Sequence, residues 1–166
     1  MQVRLAKGNE LDSARARLIA EWGEPVVMRD RNWPLADCEC LVVGHVARDD
    51  EPGDVPGEFA GLLAFSREEA PIAEVVALNA FTPRRGVGTA LLAALPTHVG
   101  RGFTQLRLGT TNDNLDALRF YQRRGWRLAA LRPGAVDRAR TTKSSIPLTG
   151  DYGLPIRDEI DLVLDL

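Results

Sequence analysis

Residues 112–126 read NDNLDALRFYQRRGW. Asn112 or Asp113 is expected to cap a helix, because a short side-chain oxygen accepts free amides of the first turn. The helix runs from about Leu115 to Arg124, and Gly125 supplies its stop. Asn114, Ala117 and Tyr121 then share one stripe, with Asn114 and Tyr121 about 10 Å apart along the axis. Ala117 keeps that stripe thin between two polar groups. A long, narrow ligand can lie along it, with Asn114 meeting amides and Tyr121 meeting the far end. The same spacing equally suits a core aromatic whose hydroxyl reaches the rim.

Upstream, residues 81–92 read FTPRRGVGTALL. An apolar strand runs into Arg84-Arg85-Gly86-Val87-Gly88-Thr89, and a helix begins at once. The first turn of a helix has free N–H groups and a partial positive charge. Two glycines let a ligand approach the backbone, and two arginines add charge, a combination suited to a phosphate or pyrophosphate. A tight strand-to-helix turn with exposed arginines reads the same way. Two other phosphate loops fail: the dinucleotide fingerprint needs glycine where Leu91 stands, and a Walker loop needs a lysine that is missing here.

Further out, residues 2–5 form a short strand. A helix capped by Asn9 or Asp12 runs to about Trp22. The stretch Met28–Asp37 reads as irregular. Residues 39–47 and 59–66 are strands joined by the polar connection 48–58, and 72–81 is a longer buried strand. The helix at 86–95 should kink or break at Pro96. A strand at 104–110 precedes the NDNLDALRFYQRRGW helix, and another at 126–131 follows it. Residues 133–156 are loop-like with one short helix (GAVDRAR), and RDEIDLVLDL alternates as a last strand. The expected fold class is α/β, with a mixed sheet.

The 166 residues, 45% of them hydrophobic, are expected to form a single domain, 1–166, with a core that needs no disulfide or metal. With 23 acids against 21 bases the net charge is −2, which argues against a dedicated nucleic-acid binder. Of those bases, all but Lys7 and Lys143 are arginine. Cys38 and Cys40, with only His45 and His98 elsewhere, cannot readily build a four-ligand zinc site. The two thiols are expected on opposite faces of a strand start, without a mutual disulfide. The N-terminus lacks the apolar stretch of a signal peptide, and the longest apolar run, about Phe59–Phe65, is too short to span a membrane. A cytoplasmic protein is the expectation.

The two quoted segments together resemble the GCN5-related N-acetyltransferase (GNAT) superfamily. The first resembles its pyrophosphate loop, Q/R-x-x-G-x-G/A, with one departure: the Q/R slot falls on Pro83, and the arginines occupy the next two positions. The second resembles N-x-x-A-x-x-[FY]-Y-x-x-x-G-[FW], matched by Asn114, Ala117, Phe120, Tyr121, Gly125 and Trp126. EVVALNAF (74–81), residues 110–126 and PIRDEIDL (155–162) also resemble a bacterial subgroup of uncharacterised members. The resemblance implies a mostly antiparallel twisted sheet of six to seven strands with helices on both faces, splayed between the fourth and fifth strands. It implies acetyl-CoA as cofactor and a small-molecule or protein amine as acceptor.

For the cofactor, the resemblance implies backbone contacts around Leu78, Asn79, Ala80 and Phe81 at a bulge. It also implies phosphate contacts from Arg84 or Arg85, Gly86, Val87, Gly88 and Thr89, and contacts from Asn114 and Ala117. Tyr121 matches the tyrosine that protonates the leaving thiolate, and Glu74 matches a general base; a strand-end ion pair is the other reading of Glu74. The segment Trp22–Trp33 and the loop 133–156 are candidate acceptor walls, with Asp151, Asp158 and Glu159 available to an ammonium and Trp22, Trp33 and Tyr152 available to line a pocket. Neither nucleic acid nor membrane is an expected partner, and a monomer or homodimer is. Other readings are a non-catalytic acyl-CoA sensor or scaffold of the same fold, and an arginine-based anion or nucleic-acid binder.

Overall fold

The computed structural model describes residues 1–44, 59–82 and 84–166. The elements run β1 (Val3–Leu5), α1 (Asn9–Trp22), β2 (Val26–Met28), β3 (Arg31–Trp33), β4 (Glu39–Gly44), β5 (Phe59–Ser66), β6 (Ile72–Ala80), α2 (Val87–Val99), β7 (Gln105–Thr111), α3 (Leu115–Gln122), β8 (Arg127–Arg132), α4 (Ala135–Thr142) and β9 (Glu159–Asp165). The end of the strand expected over 39–47, the connection 48–58 and Pro83 lie outside the described residues.

Seven strands form one sheet in the order β1-β4-β5-β6-β7-β9-β8, and β2-β3 is a separate hairpin. All pairings are antiparallel except β6 with β7. That parallel pairing covers only Ile72–Val75 against Gln105–Leu108. Just beyond it, one extra residue, Val76, interrupts the register of β6 with β5. A bulge bends its strand and ends local pairing, so β6 and β7, fourth and fifth in the sheet, part company from there. The fold is the expected α/β arrangement.

Apolar residues cover both sheet faces. Leu63, Phe65, Leu106 and Trp126 pack on one face with Leu91 and Leu95 of α2. Leu35, Val42, Leu62 and Val76 pack on the other with Leu18 of α1. Each such fully buried side chain contributes about 1.5–3 kcal/mol. Among the described residues no helix is long and apolar enough to cross a membrane.

Several local expectations are corrected. Gly8 occupies the N-cap of α1 with no side-chain cap, in place of Asn9 or Asp12. Asn114 caps α3, accepting the Ala117 amide at 3.1 Å, in place of Asn112 or Asp113. The helix α2 continues through Pro96 to Val99 without breaking; Leu91, Leu92, Leu95 and Val99 are buried along it, and that packing outweighs the lost backbone bond. Cys38, in extended backbone just before β4, and Cys40 within it enter the same core cluster, because residues two apart on extended chain share a face. Both are free thiols, pushed up by burial to about 12 and about 11.

The irregular stretch after Met28 is the β2-β3 hairpin and a short 3-10 turn. Its two-residue loop, Arg29-Asp30, has both φ angles positive, 56° and 57°, as a type I′ turn requires.

Candidate active site

The strand-to-helix turn before α2 places a basic, donor-rich end on a long groove. Gly86 sits at φ 77°, and nothing lies within 4 Å of where its Cβ would stand. The first helical bond runs from the Ala90 amide to the Gly86 carbonyl (2.9 Å), so the amides of Val87, Gly88 and Thr89 have no partner within the helix. A Cβ on Gly88 would stand 3.2 Å from Phe120 Cζ; glycine there lets α3 approach α2. Arg124 ties the two helices, stacking over Phe120 (3.7 Å) and donating to Thr89 Oγ1 from Nε and Nη2 (3.0 and 2.6 Å).

The groove holds about 840 Å³ and runs from Arg84 and Gly86 past Leu78 and Ala80 to Tyr121. Arg85 does not line it. The Phe81 amide donates to Ala60 O on β5 at 2.8 Å. Alternation along an antiparallel ladder turns the Asn79 amide the same way, leaving those of Leu78 and Ala80 toward the gap. Of residues 78–81, Leu78 and Ala80 thus turn their amides to the gap, and Asn79 and Phe81 turn theirs to β5. Asn79 Oδ1 instead accepts the Trp22 indole N–H, and Phe81 lies under Arg17. Asn114 and Ala117 do line the groove, with the Asn114 Oδ1 engaged as a cap and its amide nitrogen left for a ligand.

Tyr121 stands where the groove meets the splay. Its ring packs edge-on against Phe120 (5.3 Å) and tilted against Trp126 (5.8 Å). Burial pushes its phenol up to about 12, so it stays protonated at neutral pH. Leu78, Asn114, Ala117 and Tyr121 also line a second cleft, of about 210 Å³. Its other walls include Val27, Met28, Val76, Gly109, Thr111 and Glu159. The two cavities thus share the residues at the parting of β6 and β7. A third pocket, about 310 Å³, continues from Trp22 and Glu159 to α4 and Ile146. The expected walls, Trp22–Trp33 and 133–156, do meet here, although Trp33 itself is core and Tyr152 is exposed.

Glu74 is not brought into these cavities. Its carboxylate, 2% exposed, accepts Arg107 Nε at 2.8 Å and pairs with Arg29 at 3.2 Å. Burial pushes its pKa up while both arginines pull it down. Glu74 stands opposite Arg107 in the stretch where β6 and β7 still pair, below the splay. Its ion pair is the second of the two sequence readings, moved from the surface to the interior. Asp158 accepts the Gly134 amide, and Asp151 is exposed.

A model described as the acetyltransferase (GNAT) family matches residues 10–126. The chain belongs to the GNAT family. It is 38% identical over 146 residues to the uncharacterized protein YxbD of Bacillus subtilis (strain 168), covering 87% of this chain and 86% of that one. The crystal structure of a Bacillus subtilis acetyltransferase in complex with CoA superposes with a TM-score of 0.66 at 20% identity, covering 99% of this chain and 98% of that one. A GNAT acetyltransferase of Elizabethkingia anophelis with acetyl-CoA bound gives 0.68 at 15% identity, over 99% and 97%.

Within this GNAT chain, sequence reasoning missed two groups. Thr82 lines the groove with its hydroxyl buried and unpartnered among the described residues; nothing in its sequence neighbourhood signals that. Gly109, which leaves room for Met28 beside the parted strand, is the other, and its position in an alternating strand gave no signal of a cavity.

Proposed function

We propose that this GNAT protein is an N-acetyltransferase that moves an acetyl group from acetyl-CoA to a primary amine, of a small molecule or a protein, by direct attack in a ternary complex. The observation that carries this reading is the pair of cavities meeting at Tyr121. One ends on three free helix amides, and the other opens on the opposite side of the parted strands.

The residues present fit the cofactor. The free amides of Val87, Gly88 and Thr89, the open cradle at Gly86 and the Arg84 side chain suit a diphosphate. The orphaned Thr82 hydroxyl offers a further polar contact. The inward amides of Leu78 and Ala80 suit the pantetheine arm, and an amide at the bulge suits the carbonyl oxygen as charge develops on it.

Acetyl-CoA supplies an activated acyl group as a thioester. The amine must first lose a proton, since an alkylammonium has no free lone pair. The neutral nitrogen then forms the C–N bond as the C–S bond breaks. Tyr121 gives its phenol proton to the departing thiolate, and the second amine proton refills the phenolate. One proton is released per turnover.

An acceptor side closed by side chains would support a sensor; the cleft of about 210 Å³ there supports catalysis. Titration calorimetry with acetyl-CoA, followed by thiol release against an amine panel, tests the proposal. Binding with amine-dependent thiol release is expected. No binding at high micromolar cofactor removes the reading, and binding without turnover of any amine moves it to the sensor.

A further inference from the structure

Four carboxylates are buried in the described structure outside any exposed face: Glu74, Asp113, Glu159 and Asp161. Glu74 has Arg107 and Arg29, and Asp161 has Arg132 at 2.8 Å. Asp113 is turned away from the cavities and accepts the Asp151 amide. Glu159 is different. It is 5% exposed, and among the described residues no cation lies within ion-pair distance of it. Its two oxygens share a single donor, the Arg29 amide, at 3.2 and 3.0 Å. A buried carboxylate without a counter-charge is costly. Here it is aimed at empty space, because Glu159 lines both acceptor-side pockets and is the sole acid on either lining.

The surrounding sequence builds this placement. Gly109 has no side chain, and a Cβ there would meet Met28 at 2.8 Å and Glu159 Oε1 at 3.7 Å. The missing side chain leaves room for both beside the parted strand. The type I′ turn points the Arg29 amide at the carboxylate. Asp30 of the same turn is anchored by Arg138 at 2.7 Å.

Behind Glu159, the pocket of about 310 Å³ is walled by Val26, Val27, Val136, Ala139, Ile146 and Pro147. Its sole basic lining residue is Lys143, held by the Trp22 and Pro25 carbonyls. A second ammonium on the acceptor would meet that cation and no lining acid besides Glu159.

Resting on the transferase reading above, we infer that Glu159 binds the acceptor's ammonium and takes its proton, and that the acceptor is a primary monoamine with an apolar body. Glu159 takes one proton from R–NH3⁺ to leave R–NH2, and returns it to water after the amide forms. Burial first of all, and then Asp161 and Asp30, push the Glu159 pKa up, while the Arg29 amide and Arg132 pull it down. That balance makes it a stronger base than a surface glutamate.

The test uses hexylamine, 2-phenylethylamine, ethylamine, spermidine and a lysine peptide with the full chain. Expected is a preference for hexylamine and 2-phenylethylamine over the other three. Glu159→Gln should raise KM for hexylamine by about 10–100-fold, the worth of one charge-assisted bond, and abolish the acid limb of kcat/KM. Its acetyl-CoA affinity should not change. Ala139→Phe, which fills the tail pocket, should lower kcat/KM for hexylamine more than for ethylamine; it decides the matter even if Glu159→Gln fails to fold. Preference for spermidine or the peptide, or an unaltered acid limb in Glu159→Gln, overturns the inference while leaving the transferase reading intact. Failure of the unmodified chain to bind acetyl-CoA overturns both.

Discussion

At the scale of single residues, Tyr121 and Glu74 share the word catalytic in the family resemblance but have opposite surroundings. Tyr121 is a neutral phenol at the meeting of two cavities, so its proton is available wherever the enzyme works. Tyr121→Phe should bind acetyl-CoA normally and lose about 10²-fold in kcat, the usual worth of a positioned acid; rapid thiol-release assays across pH measure it. Equal turnover in the two proteins would remove Tyr121 as the proton donor. Glu74 anchors two arginines beneath the β2-β3 hairpin. Removing a buried charge that partners two others costs roughly 3 kcal/mol, so Glu74→Gln should show as a lower urea midpoint. The acid limb of its kcat/KM profile should stay where it is, and loss of that limb would restore Glu74 as the base. Glu159 carries a linked stability effect of defined sign. Its pKa is raised in the folded chain, so the native state binds more protons than the unfolded state between the two pKa values. Stability therefore falls as pH rises through that window. Glu159→Gln should be at least as stable as the parent at pH 8, with the difference closing below the ordinary glutamate range, as read by thermal melts at both pH values.

At the scale of elements, the glycines report which pieces must touch. Gly61 on β5 lies under the start of α2: a Cβ would stand 2.3 Å from Val87 Cγ1 and 2.9 Å from the Asn79 carbonyl oxygen. The second neighbour is backbone and cannot rotate aside. Gly61→Ala should therefore cost about 3 kcal/mol, the upper part of the overpacking range. Because Val87 opens the turn proposed to hold the diphosphate, acetyl-CoA affinity should fall with stability, and calorimetry against a urea melt tests the two together. The helix α3 was legible because Asn114, Ala117 and Tyr121 obey helical spacing over about two turns, and β9 was legible because its alternation is clean. The β2-β3 hairpin was not, because Arg29-Asp30 adopts a turn usually marked by Asn-Gly. Pro96 misled in the other direction, since local propensity spoke for a break and buried leucines decided otherwise. Asn114 was read as a ligand contact and not as the cap, though the residue type signals both.

At the scale of the whole molecule, the sheet is two halves, β1-β4-β5-β6 and β7-β9-β8, joined directly by four residue pairs. Sequence could point to the glycine turn and the tyrosine as the two ends of a groove. It could not show that Glu159 reaches the same place, because that depends on β9 inserting between β7 and β8 after a 26-residue excursion from Arg132. The weak seam has a physical consequence. A ligand seated along the parting bonds amides of β6 and α2 on one half and touches α3 on the other, so it splints the seam. At one hundred times its Kd, acetyl-CoA should stabilise the fold by about 2.7 kcal/mol, or ~5–10 °C in Tm for a domain of this size. Hydrogen exchange should slow most at Leu78, Ala80, Val87, Gly88 and Thr89, whose amides have no strand or helix partner among the described residues, and least along β1 and β4. Protection concentrated instead on the outer strand β8, with those five amides unaltered, would place the cofactor elsewhere and separate the two ends of the groove.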